Sequence, residues 1–154
     1  MGVEVTSHAV MVHVLREGEK DPEVLLLHRS FPPICWSEIG GGVEEGETAW
    51  QAGLREMHEE TGLVPLRYYS ADFCQQYYDP ENDRICLFPV FVAYVDPLAE
   101  VALNHEHDAF RWVSFHEAME LVPYPGQRRA LGMIRETFVV RAPHPILLID
   151  VSHS

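Results

Sequence analysis

The stretch Gly41–Leu63, GGVEEGETAWQAGLREMHEETGL, decides the interpretation of the whole chain because it contains a helix with a signal at each end. Thr48 and Gln51 stand three residues apart, the spacing of a capping box in which each side chain bonds the other's backbone N–H. Gly62 adopts left-handed backbone easily and is a natural helix stop. The sequence therefore predicts a helix from Thr48 to Gly62, preceded by a glycine-rich loop.

The predicted helix has two different faces when its residues are placed at 100° intervals. One apolar stripe is predicted to face the core: Trp50, Leu54, Met57 and Thr61. Three carboxylates share a flank with small residues that let another segment approach: Glu56, Glu59 and Glu60, beside Ala49, Ala52 and Gly53. Like charges at this spacing repel each other, whereas Mg²⁺ prefers carboxylate oxygens and water as ligands. Two interpretations stay open here, a metal site and an ordinary solvated face.

The composition predicts one compact acidic domain over residues 1–154, since 47% of the positions are apolar. The net charge of −13 argues against salt-driven binding to nucleic acid, which needs a cationic surface. No apolar run approaches the roughly 20 residues of a membrane helix, and the N-terminal segment lacks a signal-peptide pattern. We therefore expect a cytosolic protein that does not bind membranes. The three cysteines form no C-x-x-C pair, which argues against a disulfide framework or a cysteine zinc site: Cys35, Cys74 and Cys86.

Apolar and β-branched runs predict a sheet around the helix. The predicted strands are His8–Leu15, Val24–Arg29, Leu66–Tyr77, Ile85–Val95 and Phe110–Val113. A second capping box at Ser114 and Glu117 predicts a short helix, and Gly126–Val139 has helical apolar spacing. Pro89 predicts an edge position or a bulge in its strand because proline cannot donate to a ladder. The tail 145–151 either adds a strand or packs on the core. This order of elements favours an α/β fold with a mixed sheet covered by helices.

The stretch also contains the complete pattern G-x5-E-x7-R-E-U-x-E-E-x-G-U, in which U is an apolar residue. Its nine specified positions are Gly41, Glu47, Arg55, Glu56, Met57, Glu59, Glu60, Gly62 and Leu63. This pattern is the Nudix box, and in it the chain resembles the Nudix hydrolase family. The resemblance implies an α/β/α sandwich with a mixed β-sheet. It also implies a pyrophosphohydrolase that splits a diphosphate with a divalent metal and an activated water.

Mapped onto this sequence, the resemblance implies Mg²⁺ as the cofactor, with Mn²⁺ as a substitute. The implied metal ligands within the box are Glu56, Glu59 and Glu60, with Glu47 acting directly or through water. Glu59 or Glu60 would also act on the attacking water, and Arg55 would orient a neighbouring glutamate. Gly41 and Gly42 would let the loop backbone approach the metal and the phosphates.

Two acidic or basic residues outside the box are also candidates for the site. Arg29 ends a predicted strand, as an arginine does in many relatives, and it is predicted to contact phosphate; a surface arginine is the alternative. Glu106 lies six residues before Trp112 and resembles the loop glutamate that many members use as an extra ligand or general base. The neighbouring histidines, His105 and His107, are not expected to bind metal because the oxygen-rich surroundings favour Mg²⁺ or Mn²⁺.

Further substrate contacts are predicted from the loop before the box and from the last helix. Trp36 is a candidate to stack on a ring, although such aromatics more often complete a core. The segments EHDAFRWV at 106–113 and PGQRRAL at 125–131 resemble bacterial Nudix enzymes of the dATP and dihydroneopterin triphosphate pyrophosphohydrolase type. On that likeness Gln127 and Arg128 reach the substrate, with a plain helix start as the alternative.

The leading interpretation is a metal-dependent hydrolase of a nucleoside or pterin polyphosphate. A dinucleoside polyphosphate or nucleotide-sugar hydrolase is the alternative within the family. An isomerase of the isopentenyl diphosphate type is disfavoured because the box is unmodified, although Cys35 lies nearby. A non-catalytic nucleotide-binding module is disfavoured because every box carboxylate is present. The sequence leaves the exact substrate and the oligomeric state undetermined.

Overall fold

The fold is described from a computed structural model that covers residues 1–153. The described residues form eight strands: β1 (Glu4–Thr6), β2 (Ala9–Arg16), β3 (Glu23–Arg29), β4 (Trp36–Ser37), β5 (Ile39–Gly42), β6 (Arg67–Asp79), β7 (Arg84–Tyr94) and β8 (His107–Val113). The same residues form three α-helices: α1 (Ala49–Thr61), α2 (Phe115–Leu121) and α3 (Pro125–Ile134). None of the described helices is long and apolar enough to cross a membrane.

All eight strands belong to one mixed sheet. β7 lies in its interior, parallel to β1 and β2 on one side and antiparallel to β6 on the other. β2 has two antiparallel partners. Its first half pairs with β5, and its end forms a hairpin with β3. β3 also pairs with β8, which places Arg29 opposite His107. The sheet thus brings the end of β3, the start of β8 and β5 to one region.

The sheet has an apolar cluster on each face, which is the arrangement of a three-layer sandwich. Alternate residues of β7 divide between the two clusters, as the two-residue period of a strand requires. Val90, Val92 and Tyr94 pack with α2 and α3, whereas Phe91 and Ala93 pack with α1. The predicted α/β/α sandwich with a mixed sheet is confirmed.

The helix α1 has the predicted ends. Thr48 and Gln51 form the reciprocal capping box, and Gly62 closes the helix with a φ of 72°. The predicted core stripe is only partly right, because Trp50 and Leu54 are half-buried. The side that faces the sheet is the flank with the small residues: Ala52, Gly53, Met57, Glu60 and Thr61 are buried. A Cβ at Gly53 would overlap the hydroxyl of Tyr68, so the small residue permits close packing on the sheet.

The structure corrects three predictions about strands. β7 is an interior strand, so the edge position proposed for Pro89 is wrong, and the bulge beside Pro89 lies in the partner strand β6 and not in β7 itself. Pro89 pairs with Cys74 directly after a bulge in β6, and on the other side it falls between the segments paired with β1 and β2. The region before α1, predicted as a loop, contains β4 and β5, because the glycines of β5 pair with β2 through their backbone. β8 begins three residues earlier than predicted, at His107.

The C-terminal segment packs on the core as predicted, and within the described residues it adds a single bridge to the sheet and no strand. Leu148 forms a single antiparallel bridge with Tyr69, and Ile149 donates its backbone N–H to Tyr68. Ile149 also packs on the cluster beneath α1. The helix predicted over 126–139 begins at Pro125 and continues after Ile134 as a wider π-helical turn. That one domain spans residues 1–154 stays a prediction, and Ser154 lies outside the described residues.

Candidate active site

A cleft of about 950 Å³ opens between the sheet and the start of α3. Its walls come from the end of β3, from β5, from the outer half of β6 and from the first turn of α3. Glu60 and Glu106 lie in this cleft, together with Arg29. Glu38 and Gln127 line the same cavity. The cleft therefore joins a group of carboxylates to a second group of polar side chains.

Three side chains in the cleft form a compact ligand group. One oxygen or nitrogen atom from each of Glu60, Glu106 and His107 lies within 4.8 Å of the other two. The imidazole Nδ1 of His107 is 3.5 Å from Oε1 of Glu60. His107 Nδ1 and Glu60 Oε2 are both buried and have no hydrogen-bond partner in the described structure. Buried polar atoms without partners are costly, and a cation bound between them would satisfy both.

Glu60 has the most strongly shifted pKa of the residues in this group. Its side chain is 2% exposed, and burial raises its pKa to about 9, with further contributions from Glu56, Glu106 and Glu59. Burial is also the main reason why the pKa of Glu56 is raised. A carboxyl group with such a pKa holds a proton at neutral pH unless a positive charge replaces it. Burial thus favours the neutral form of Glu60, or its charged form beside a positive charge.

Arg55 connects the neighbouring carboxylates to the loop before α1. Its Nη2 donates to Glu47 Oε1 at 2.7 Å, and its Nε donates to Glu47 Oε2 at 3.1 Å. Its Nη1 donates to Glu56 at 2.8 Å and to Glu59 at 3.2 Å, and Nη2 also bonds the carbonyl of Gly42. These bonds lower the pKa of Glu47. Arg55 thus pairs with neighbouring glutamates, including Glu59 one turn away.

Gly41 is where the loop comes closest to α1. A Cβ at this position would overlap the carboxyl group of Glu56, whereas a Cβ at Gly42 would meet its nearest atom, the carbonyl oxygen of His8, at 3.7 Å. Gly41 thus provides the space in which Glu56 lies. Gly41 lines the cleft, while the carbonyl oxygen of Gly42 accepts a bond from Arg55.

The fold agrees with comparisons to known proteins. The family model described as "NUDIX domain" matches residues 6–136. The chain belongs to the Nudix family. A dihydroneopterin triphosphate diphosphatase of Escherichia coli K12 is 29% identical over 150 residues, which cover 90% of this chain and 97% of that protein.

Two further relatives extend the comparison. The Nudix chain is 37% identical over 131 residues to an octanoyltransferase of Myxococcus xanthus. That match covers 79% of this chain but only 35% of the longer protein. The crystal structure of a C. elegans Ap4A hydrolase binary complex superimposes with a TM-score of 0.70 at 25% identity, covering 83% of this chain and 96% of that chain.

The Nudix fold brings some of the predicted site residues together. Glu60, Glu106, Arg29 and Gly41 all line the cleft. Arg29 reaches this position from β3, where its Nε donates to the carbonyl of Pro33 at 3.0 Å. Glu56 is next to Gly41, while the exposed Glu59 lies on the Arg55 side. Both carboxylate oxygens of Glu47 accept hydrogen bonds from Arg55, so Glu47 contacts the arginine.

Three of the predicted substrate contacts lie outside the cleft lining: Gly42, Trp36 and Arg128. Trp36 packs beside His28, at 5.0 Å between ring centroids, and against the cluster under α2 and α3. The exposed side chain of Arg128 bonds the carbonyl of Val122, whereas its neighbours Gln127 and Arg129 line the cleft. The rotation of about 100° per helical residue explains why adjacent positions differ in this way.

Sequence reasoning missed the importance of Glu38 and His107. Glu38 lies before the Nudix box and outside every predicted element, yet it is 5% exposed and bonded to Gln127. His107 was assigned to a loop, but it begins β8 and is 6% exposed. His107 lies between two acidic residues, Glu106 and Asp108. No residue next to it in the sequence therefore signals that its side chain is buried.

Proposed function

We propose that this Nudix protein hydrolyses a diphosphate linkage in a nucleoside or pterin polyphosphate. The supporting observation is that one cleft joins Glu60, Glu106 and Arg29 to a second group of polar side chains. A nucleoside or pterin polyphosphate also has two parts, a chain of phosphates and a ring, one for each group of side chains in the cleft. Its charged phosphates require cationic neighbours, whereas its ring requires an enclosed pocket with oriented polar groups.

We propose Mg²⁺ as the cofactor, with Mn²⁺ as a substitute. Glu60 and Glu106 fit the cation because they offer oxygen ligands, and Glu60 Oε2 is buried without a partner in the described structure. Glu56 and Glu59 flank them on α1. When bound, the cation would polarise phosphoryl oxygens and lower the pKa of a water molecule. It would also allow a protein of net charge −13 to bind a polyanion.

The remaining roles follow from the contacts of each side chain. Glu106 lies in the ligand group and is the proposed general base for the attacking water, with Glu59 and Glu60 as the alternatives within the box. Arg55 keeps Glu56 and Glu59 in place through its hydrogen bonds, so it is a positioning residue. Arg29, next to β8 at the rim of the ligand group, is the proposed phosphate contact. The cytosolic location stays a prediction.

A second candidate substrate is a dinucleoside polyphosphate. Tyr77, Tyr78 and Tyr124 line the cleft and are about half exposed, so a second ring has aromatic surfaces available at the opening. The likeness to the Ap4A hydrolase complex also supports this candidate. Isomerase chemistry through Cys35 has less support, because burial raises the pKa of its thiol.

Hydrolysis assays with product identification test the proposal. Nucleoside triphosphates, dihydroneopterin triphosphate, diadenosine tetraphosphate, ADP-ribose and coenzyme A should be incubated with the protein and Mg²⁺. We expect turnover of at least one triphosphate. We expect Glu60→Gln to lower kcat by orders of magnitude without loss of folding, and Glu100→Gln, an exposed control, to have no effect. Equal turnover by Glu60→Gln and the wild type would contradict the proposed site.

A further inference from the structure

Glu38 and Gln127 form a buried polar pair in the cleft, apart from the box carboxylates. They are 89 positions apart in sequence, and each side chain is at most 5% exposed. Gln127 Nε2 donates to Glu38 Oε2 at 2.9 Å. Both residues line the cavity that also contains Glu60 and Glu106. A buried carboxylate in a cavity wall is unusual unless it has a partner or a ligand to satisfy it.

The orientation of the Gln127 amide is fixed by its two neighbours. Its Oε1 accepts the backbone N–H of Tyr124 at 3.0 Å, and a backbone N–H can only donate. Its Nε2 therefore faces Glu38, which can only accept when ionised. Nε2 has a second hydrogen beyond the one directed at Glu38. Gln127 thus offers a hydrogen-bond donor beside the two acceptor oxygens of Glu38.

Glu38 retains capacity to bind a ligand. Its Oε1 has no hydrogen-bond partner among the described residues, and it is not one of the buried atoms sealed without a partner. Oε1 is therefore reachable from the cleft that Glu38 lines. Gln75 lies in the same wall, and its Oε1 is buried without a partner in the described structure. Gln75 lies against Gly126, the residue before Gln127.

We propose that Glu38 and Gln127 recognise the 2-amino-4-oxopyrimidine edge that guanine and pterin rings share. That edge presents an amino group, a ring N–H and a carbonyl oxygen in a row. The amino group and the ring N–H would donate to the Glu38 carboxylate, and the carbonyl would accept from Gln127 Nε2. This inference rests on the proposed hydrolysis, for which it names the substrate class.

The same pair disfavours the other common rings. Adenine and cytosine place a nitrogen lone pair beside their amino group, and that lone pair would face a carboxylate oxygen. Uracil and thymine have one ring N–H between two carbonyls, so one of their carbonyls would face Glu38. Unpaired polar groups in a buried site reduce affinity strongly. The chemistry therefore selects rings with two adjacent donors.

Steady-state kinetics with GTP, ITP, ATP and dihydroneopterin triphosphate test this inference. ITP is informative because it differs from GTP only by the missing 2-amino group. We expect kcat/KM for GTP or dihydroneopterin triphosphate to exceed that for ITP and ATP by about 10- to 100-fold, the usual discrimination of a paired contact. The ratio between GTP and dihydroneopterin triphosphate distinguishes a nucleotide from a pterin as the source of the edge.

Variants of the pair should remove the preference while sparing the chemistry. Glu38→Gln replaces an acceptor by a donor at constant size, and we expect it to raise KM for GTP and dihydroneopterin triphosphate far more than KM for ATP, so that the preference is lost. Gln127→Met removes the donor and serves if Glu38→Gln fails to fold, as judged by its melting temperature. Glu100→Gln, the same change at an exposed position, should keep the wild-type ratios. A wild-type protein that prefers ATP, or an unchanged preference in a folded variant, would overturn the inference while leaving hydrolysis intact.

Direct binding separates failure of this inference from failure of the proposed hydrolysis. If no phosphate compound is hydrolysed, the proposed function is wrong, and calorimetry with GMP, AMP and neopterin then decides the ring preference. Tighter binding of GMP and neopterin than of AMP, weakened by Glu38→Gln, would still support the inference. Equal binding of GMP and AMP would overturn it.

Discussion

His107 Nδ1 lies 3.5 Å from Glu60 Oε1, and both side chains are almost completely buried. His107 is either a ligand of the proposed cation or a neighbour that positions Glu60, and both roles require its imidazole. We expect His107→Leu to weaken Mn²⁺ binding by about 10- to 100-fold, as loss of a ligand's supporting contact does. A Mn²⁺ titration followed by electron paramagnetic resonance measures the affinity.

His105→Leu is the matched control for this change, since His105 is exposed two residues away. Its Mn²⁺ affinity should equal that of the wild type. If both histidine variants bind Mn²⁺ equally well, the contact between His107 and Glu60 has no part in the metal site.

The pKa of Glu60 predicts how metal-free stability depends on pH. Because burial raises this pKa to about 9, folding favours the protonated carboxyl. The stabilising contribution is complete below the unfolded pKa of about 4.3 and is lost as the pH rises toward 9. We expect the melting temperature in chelator to fall between pH 5 and 9 more in the wild type than in Glu60→Gln. Identical pH profiles would show that Glu60 does not titrate in this way.

Gly41 and Gly42 provide a test of the packing against Glu56. Gly41→Ala places a methyl group where the Glu56 carboxyl lies, whereas Gly42→Ala has space. We expect Gly41→Ala to displace Glu56, to cost about 1–3 kcal/mol of unfolding free energy and to reduce activity. Urea denaturation and turnover measure the two effects. Equal behaviour of the two alanine variants would argue against this close approach.

Glu106 is the residue through which β8 would complete the site. If Glu106 is the general base, Glu106→Gln should lower kcat by roughly 10²- to 10⁴-fold with the metal dependence unchanged. If it is a metal ligand, the half-saturating Mg²⁺ concentration should rise, and excess Mg²⁺ should recover much of the activity. Rates measured against Mg²⁺ concentration separate the two roles. Wild-type kcat and metal dependence would leave Glu106 without either role.

Local signals predicted the parts of the molecule that local physics determines. The ends of α1 were predictable because Thr48 bonds Gln51 within one turn and because Gly62 readily adopts left-handed backbone. The face of α1 that meets the sheet was predicted less well. It depends on the approach of Gly53 to Tyr68, which lies on another element.

The site shows the same division. The box carboxylates were found from their spacing on one helix, and Arg55 contacts them as predicted. The contact between Glu38 and Gln127 could not be predicted from the sequence because 89 positions separate the two residues. The burial of His107 depends on the register between β3 and β8, which no residue next to it specifies.

Hydrolysis in ¹⁸O-labelled water, followed by ³¹P NMR, tests the central claim most directly. The protein should be assayed with GTP and dihydroneopterin triphosphate, with Mg²⁺ and in excess chelator. Our account predicts one ¹⁸O atom in one phosphate-containing product, formed with Mg²⁺ in the wild type and almost absent in chelator or in Glu60→Gln. Full turnover in chelator, or products without the label, would contradict cleavage by a metal-activated water at this site.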